Sequence, residues 1–282
     1  MHGRGYSFGP KPFNPLEDVT HWWQLDTSHY SNYTYTDLTG YTDKVLKNRR
    51  PTSSNISINA DCTTVNAMYY GADLPNVYTD NTFNPFVKTT ETWGGQGCVS
   101  FVISWDGNNY SNDIAIICGN TNNIGGSTLT GRWALGIGSI TSSGLKAGNK
   151  IGIWCSGSQS YIYCFDNIII PPNEITVLQI VFDLPNGKMT CIKNNDTSQT
   201  ISVTTSTTFF NRTSSNSMFN LFHRNPTQTS CPSATGIFTG SIYELKFWNE
   251  IKSSSYLEED YNRISERYGL NPSSTDDIYF SL

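Results

Sequence analysis

The sequence predicts an all-β fold, a two-sheet sandwich with one α-helix packed on it near the C-terminus. Three observations predict it. About a dozen short runs alternate apolar and polar residues between Gly, Pro, Asn and Asp punctuation. A single stretch, late in the chain, switches to helical period. The runs follow one another with no helix between them, which argues against βαβ units.

Residues 1–19 read as an extended arm. Gly3, Gly5, Gly9, Pro10, Pro12 and Pro15 oppose regular structure, while Tyr6, Phe8 and Phe13 are aromatic rings that are unfavourable to leave wet. They pack either on this chain's own surface or on a neighbouring subunit, where they would be anchors. His21 to Leu25 is the first strand, with Trp22 and Trp23 on opposite faces. His29 to Tyr35 reads as a polar loop, and residues 51–96 as irregular strands with long connections.

From Gly97 the pattern sharpens. Val99, Phe101, Ile103 and Trp105 share one face, and Ser100, Val102 and Ser104 the other. Asp106-Gly107-Asn108-Asn109 turns the chain. Strands follow at Ile114 to Cys118, Trp133 to Ile140, Ile151 to Cys155, Tyr161 to Phe165 and Asn167 to Ile170, where Pro171-Pro172 removes two ladder donors. Ile175 to Asp183 and Lys188 to Lys193 form a hairpin across Asn186-Gly187, a strong turn signal. Ile201 to Thr205, Met218 to His223 and Ile237 to Trp248 complete the set.

The last strand carries Ile242, Leu245 and Phe247 with Glu244 and Lys246 between them. Beyond it Leu257, Tyr261, Ile264 and Tyr268 make one helical stripe. Ser255 and Glu258 are spaced as a capping box, Gly269 is placed for a left-handed cap, and Pro272 forbids continuation. So short a helix needs a sheet beneath its stripe. The tail, residues 271–282, ends in Ile278, Tyr279, Phe280 and Leu282, which are expected to cover a sheet edge here or on a neighbour.

A net charge of −5 disfavours a nucleic-acid surface, and the local Lys47 to Arg50 cluster reads as a solvated turn. Seven cysteines with no C-x-x-C fit free buried thiols from a reducing compartment better than a disulfide framework or a zinc site. No 18-residue apolar run offers a membrane span, and the first residues have no signal-peptide core, so the chain is expected to be made in the cytoplasm.

Three motifs together carry a resemblance. The late strand Gly240-Ser241-Ile242-Tyr243-Glu244-Leu245-Lys246-Phe247-Trp248 runs into a helix closing on Arg267-Tyr268-Gly269-Leu270. Trp22-Trp23-Gln24-Leu25-Asp26 precedes the Asp37-Leu38-Thr39-Gly40 turn, and the Asn186-Gly187 hairpin follows. In order and spacing they resemble concanavalin A-like (laminin-G-like) lectin and glucanase domains, notably those of bacterial surface and bacteriophage structural proteins. The resemblance spans residues 20–270 and implies a jelly-roll sandwich with a binding or structural role.

Glucanases of that superfamily carry alternating carboxylates on one strand, and this chain has no such strand. Glu258-Glu259-Asp260 reads as helix-start charge complementing the macrodipole. His2, His21, His29 and His223 lie in no recognisable nucleophile context, and no phosphate loop occurs. An enzyme is not expected. The resemblance leaves room for Ca²⁺, with Asp106, Asn108 and Asp113 as its candidate ligands, although the same residues also read as a plain turn. For a glycan the candidates are Trp105, Asp106, Asn108, Asn109 and Tyr110.

The expected protein is a non-enzymatic bacteriophage virion component, either capsid decoration or fibre. Its arm and tail hold other virion proteins in an oligomeric or multicopy setting, and its sandwich contacts host-surface glycans. The alternatives are a free microbial carbohydrate-binding module and a glycan hydrolase of the same superfamily. No other cofactor, no nucleic acid and no membrane span is expected.

Overall fold

A computed structural model describes residues 13–42, 45–49, 52–66, 77–79, 83–88, 92–109, 114–121, 132–141, 144–156, 160–204, 218–222 and 237–270. Among the described residues seventeen strands and one α-helix form. The strands are β1 (Val19–Gln24), β2 (Tyr30–Ser31), β3 (Thr34–Tyr35), β4 (Leu46–Asn48), β5 (Ile56–Ile58), β6 (Thr63–Val65), β7 (Val77–Tyr78), β8 (Gln96–Trp105) and β9 (Ala115–Thr121). They continue as β10 (Arg132–Thr141), β11 (Gly144–Ser156), β12 (Ser160–Ile169), β13 (Ile175–Asp183), β14 (Lys188–Lys193), β15 (Thr197–Ser202), β16 (Met218–Leu221) and β17 (Gly240–Trp248). The helix is α1 (Ser254–Tyr268).

Two antiparallel sheets make a jelly-roll sandwich. One runs β15-β14-β13-β8-β17-β6-β5, with β1 also paired to β17, and the other β12-β11-β10-β9-β16-β7-β4-β3-β2. Alternation directs Val99, Phe101, Ile103 and Trp105 of β8, with Leu178, Ile180 and Phe182 of β13, into one continuous core. Trp23, Trp133 and Phe219 meet them there.

The three-residue spacing from Ile242 to Leu245 breaks strict alternation, and a bulge accommodates it. The register of β17 against β8 shifts between Ile242 and Glu244, so that Ile242, Leu245 and Phe247 all face the core. Glu244 and Lys246 are left on the outer face. There they are not wet, because α1 covers them, and they are 1% and 0% exposed.

The helix lays Tyr261 and Ile264 on Val102 and Val177, with Tyr268 partly buried beside them. Its N-cap is Ser253, whose hydroxyl accepts from Tyr256 N at 3.2 Å, so the helix starts two residues before the expected Ser255 cap. Glu258 and Glu259 consequently lie beyond the first turn, which holds no acid. Gly269 adopts the left-handed cap, with φ 65°.

Other expectations shift at their edges. The residues around Tyr30 to Tyr35 form the β2–β3 hairpin in place of a loop, turning through Asn32 and Tyr33 at positive φ. The runs Tyr161 to Phe165 and Asn167 to Ile170 are one strand, β12, interrupted by a register shift. Both tryptophans of β1 are buried, Trp23 in the central core and Trp22 outside it against Val19, Cys98 and Trp248.

The Asp37-Leu38-Thr39-Gly40 turn ties down β1. Asp37 Oδ1 accepts from Trp22 N at 3.1 Å and Thr39 N at 3.0 Å, while Oδ2 stands 2.6 Å from His21 Nδ1. The six described cysteines are buried and none is in a disulfide. Burial pushes the Cys98 thiol up to about 12.

Candidate functional site

Strand alternation and register place three hydroxyl side chains in a row. Ser241 of β17 pairs with Thr64 of β6 on one side and Ser104 of β8 on the other. Their alternates Thr63, Ile242 and Ile103 are fully buried, so the hydroxyl row belongs to the outer face. Thr64 Oγ1 and Ser241 Oγ hydrogen-bond at 2.8 Å, and Asn59 Nδ2 donates to Thr64 Oγ1 at 3.0 Å.

The helix ends short of this row. Its last residue, Tyr268, meets Tyr243 edge-on at 5.3 Å, in a cluster with Ile175 and Leu270. Two backbone features then shape the space beyond. Gly240 has φ 121°, and a Cβ there would stand 2.1 Å from the Ser104 carbonyl oxygen, so only glycine lets β17 pass this close to β8. Asn173, at φ 61°, donates its backbone N–H to Trp105 O at 2.6 Å and pins the β12–β13 connection over the end of β8.

The result is a cleft of about 240 Å³, with Thr64, Asn66, Ser104, Asp106, Asn173 and Ser241 around it and Val65 and Gly240 completing the lining. Asp106 is the single charged side chain of this lining. Its Oδ1 accepts from Asn108 N at 2.9 Å and its Oδ2 from Asn108 Nδ2 at 3.0 Å. The side chains of Asn66, Ser104 and Asn173 have no hydrogen-bond partner among the described residues. Such a set, hydroxyls and amides around one carboxylate, suits a ligand rich in hydroxyl groups. It presents one carboxylate, with no paired acid or nucleophile–base contact among the lining residues.

Of the residues expected to touch a glycan, Asp106 lines this cleft. Trp105 is 4% exposed and belongs to the main core, with Nε1 donating to Asn108 O at 3.0 Å, so its ring faces inward and presents no stacking surface. Asn108 folds back on Asp106. Asn109 is spent on structure, donating to Ile137 O at 3.0 Å and accepting from Gly148 N at 3.2 Å. Tyr110 and Asp113 lie outside the described residues, and with Asp113 goes a third of the candidate calcium set. Among the described residues no group of three His, Cys, Asp or Glu is placed to hold a metal ion. Of the anchor residues, Tyr6 and Phe8 lie outside the described residues, as does the tail 271–282. Phe13 packs edge-on against Tyr256 at 5.0 Å, on this chain's own helix.

Thr64, Ser104, Asn173 and Ser241 carried no signal that sequence reasoning used. Ser104 and Ser241 occupy the polar phase of alternating strands, as Ser100 does. The helix decides which of them stays uncovered, and strand periodicity does not encode its reach.

No protein-family model matches the chain, and no curated protein matches it. Solved structures do. A receptor-binding domain superposes with a TM-score of 0.59 at 13% identity over 88% of this chain and 51% of that one. The binding domain of botulinum neurotoxin DC, solved with rat synaptotagmin II, gives 0.57 at 14% identity over 88% and 52%. The serotype D binding domain of botulinum neurotoxin gives 0.53 at 11% over 88% and 52%. The chain thus spans about half the length of the structures it matches. At these identities the likeness is one of fold, a two-sheet β-sandwich.

Proposed function

We propose that this chain is a non-enzymatic, lectin-like binding module that holds glycan hydroxyls in the cleft beside Ser104, Asp106 and Ser241. The observation that carries the reading is the cleft itself, an uncovered row of hydroxyls and unpaired amides. The fold neighbours support it, since one structure matched is a receptor-binding domain and another a binding domain solved with rat synaptotagmin II. The single carboxylate in the lining supports a binding role over hydrolysis, which takes a pair of acids.

The setting proposed for it is a bacteriophage virion, on the capsid or a fibre, assembled in the host cytoplasm. The support is the sequence resemblance and the absence of a disulfide among the six described cysteines. A shallow site without an exposed stacking ring binds at roughly millimolar strength, and display in many copies raises avidity about 10²–10⁴-fold.

The test is a glycan array probed with the chain multimerised on beads, alongside an assay for released reducing ends. Binding that survives chelator and disappears in Asn66→Trp, a substitution at an exposed rim position, supports the reading. Release of reducing ends from any bound glycan replaces it with the hydrolase alternative.

A further inference from the structure

We infer that the cleft selects neutral glycans presenting a vicinal diol and rejects sialylated or uronic acid sugars, an inference that rests on the glycan-binding reading above. Its basis is the state of Asp106. Each carboxylate oxygen accepts one bond from Asn108, at 2.9 Å to Oδ1 and 3.0 Å to Oδ2. A carboxylate oxygen accepts about two hydrogen bonds, so one position on each oxygen stays open. Two open acceptors on one planar group match two adjacent sugar hydroxyls acting as donors, and ionised acceptors make the stronger bonds. The hydroxyls of Ser104 and Ser241 and the amides of Asn66 and Asn173 both donate and accept, so they take whichever roles the remaining ring hydroxyls require.

The charges around the cleft set the exclusion. No lysine, arginine or histidine lines it. Glu174 follows Asn173 in the chain. A glycan carboxylate seated among these hydroxyls meets Asp106 with no cation in the lining to offset it. At such separations the repulsion corresponds to roughly a tenfold or greater loss of affinity. Neutral sugars meet no such opposition.

The experiment is a titration of the multimerised chain against a neutral oligosaccharide and its sialylated counterpart at low and at moderate salt, for the wild type, Asp106→Asn and Asn66→Trp, with thermal melts to confirm folding. The wild type is expected to prefer the neutral glycan by roughly tenfold, with the preference shrinking as salt rises. Asp106→Asn is expected to weaken neutral binding by about tenfold and to abolish the discrimination. Equal or tighter binding of the sialylated glycan, lost in Asn66→Trp, overturns the selectivity while leaving the lectin reading standing. Binding of neither glycan by a folded wild type overturns both. If Asp106→Asn does not fold, Asn66→Trp and the salt dependence of the wild type still decide between these outcomes.

Discussion

Lys246 Nζ lies 2.5 Å from Asp260 Oδ1 with both side chains wholly removed from solvent. The ammonium also stands 4.2 Å from the Trp22 ring centre and 5.3 Å from that of Trp248. On the helix side Arg263 Nε reaches the same Asp260 oxygen at 3.2 Å, and its NH2 group pairs with Glu244. Arg267 NH2 holds Asp26 Oδ2 at 3.0 Å. The helix is therefore joined to the sheet by charge as well as by its apolar stripe. This junction holds the helix on the sheet, and the Gly269 cap ends it short of the hydroxyl row.

Breaking one side of that pair should be severe. Lys246→Met leaves Asp260 with Arg263 alone and Asp260→Asn leaves the Lys246 ammonium without its carboxylate; either change unbalances the buried charges and is expected to lower stability by about 3–5 kcal/mol in chemical denaturation. The double replacement Lys246→Met with Asp260→Leu should lose less than either single change, because both desolvated charges leave together. A loss in the double variant equal to the sum of the two single losses would mean that the pair is not coupled.

The helix start gives a sharper positional check. Ser253→Ala removes the acceptor for Tyr256 N and should reduce stability by about 1 kcal/mol, whereas Ser255→Ala should stay within a few tenths. The reverse ranking would return the cap to Ser255.

Gly240→Ala probes the cleft floor. The added methyl has 2.1 Å to the Ser104 carbonyl and a φ of 121° to adopt, so the change is expected to destabilise by about 3 kcal/mol or more and to weaken glycan binding in whatever fraction folds. A melting temperature equal to that of the wild type contradicts the close approach of β17 to β8.

Asp183 supplies a pH dependence. Hydrogen bonds from Asn186, and then from Gln96, hold its carboxyl below the usual 3.8. A lowered folded value means that its stabilising contribution is complete above the unfolded value and fades as pH falls through the folded one. The gap in melting temperature between wild type and Asp183→Asn should thus be present at neutral pH and close as the solution is taken below 3.8. The group is exposed, so the gap is expected to be small.

Much of this fold is legible because alternation and turn chemistry act locally. Val99 to Trp105 and the Asn186-Gly187 hairpin declare their structure within a few residues. So does the stripe from Leu257 to Tyr268. Glu244 and Lys246 do not. Their burial follows from a helix contributed by residues 254–268, whose Asp260 reads in the sequence as helix-start charge and in the structure pairs with Lys246. Trp105 fails as a binding residue for a related reason, since ending a strand says nothing about whether a ring is covered. The cleft is assembled from β6, β8, β17 and the Pro171 to Glu174 connection, segments far apart in sequence. Only Asp106 stood out beforehand, through the turn it begins.

The most direct measurement is amide chemical-shift mapping of the isotopically labelled chain as a neutral oligosaccharide is titrated in. The account predicts perturbations concentrated at Thr64, Ser104, Asp106, Asn173 and Ser241, saturating with a single dissociation constant and absent in Asn66→Trp. Shifts confined to another surface, such as the exposed Tyr33 hairpin, or no shifts at millimolar sugar, would contradict it.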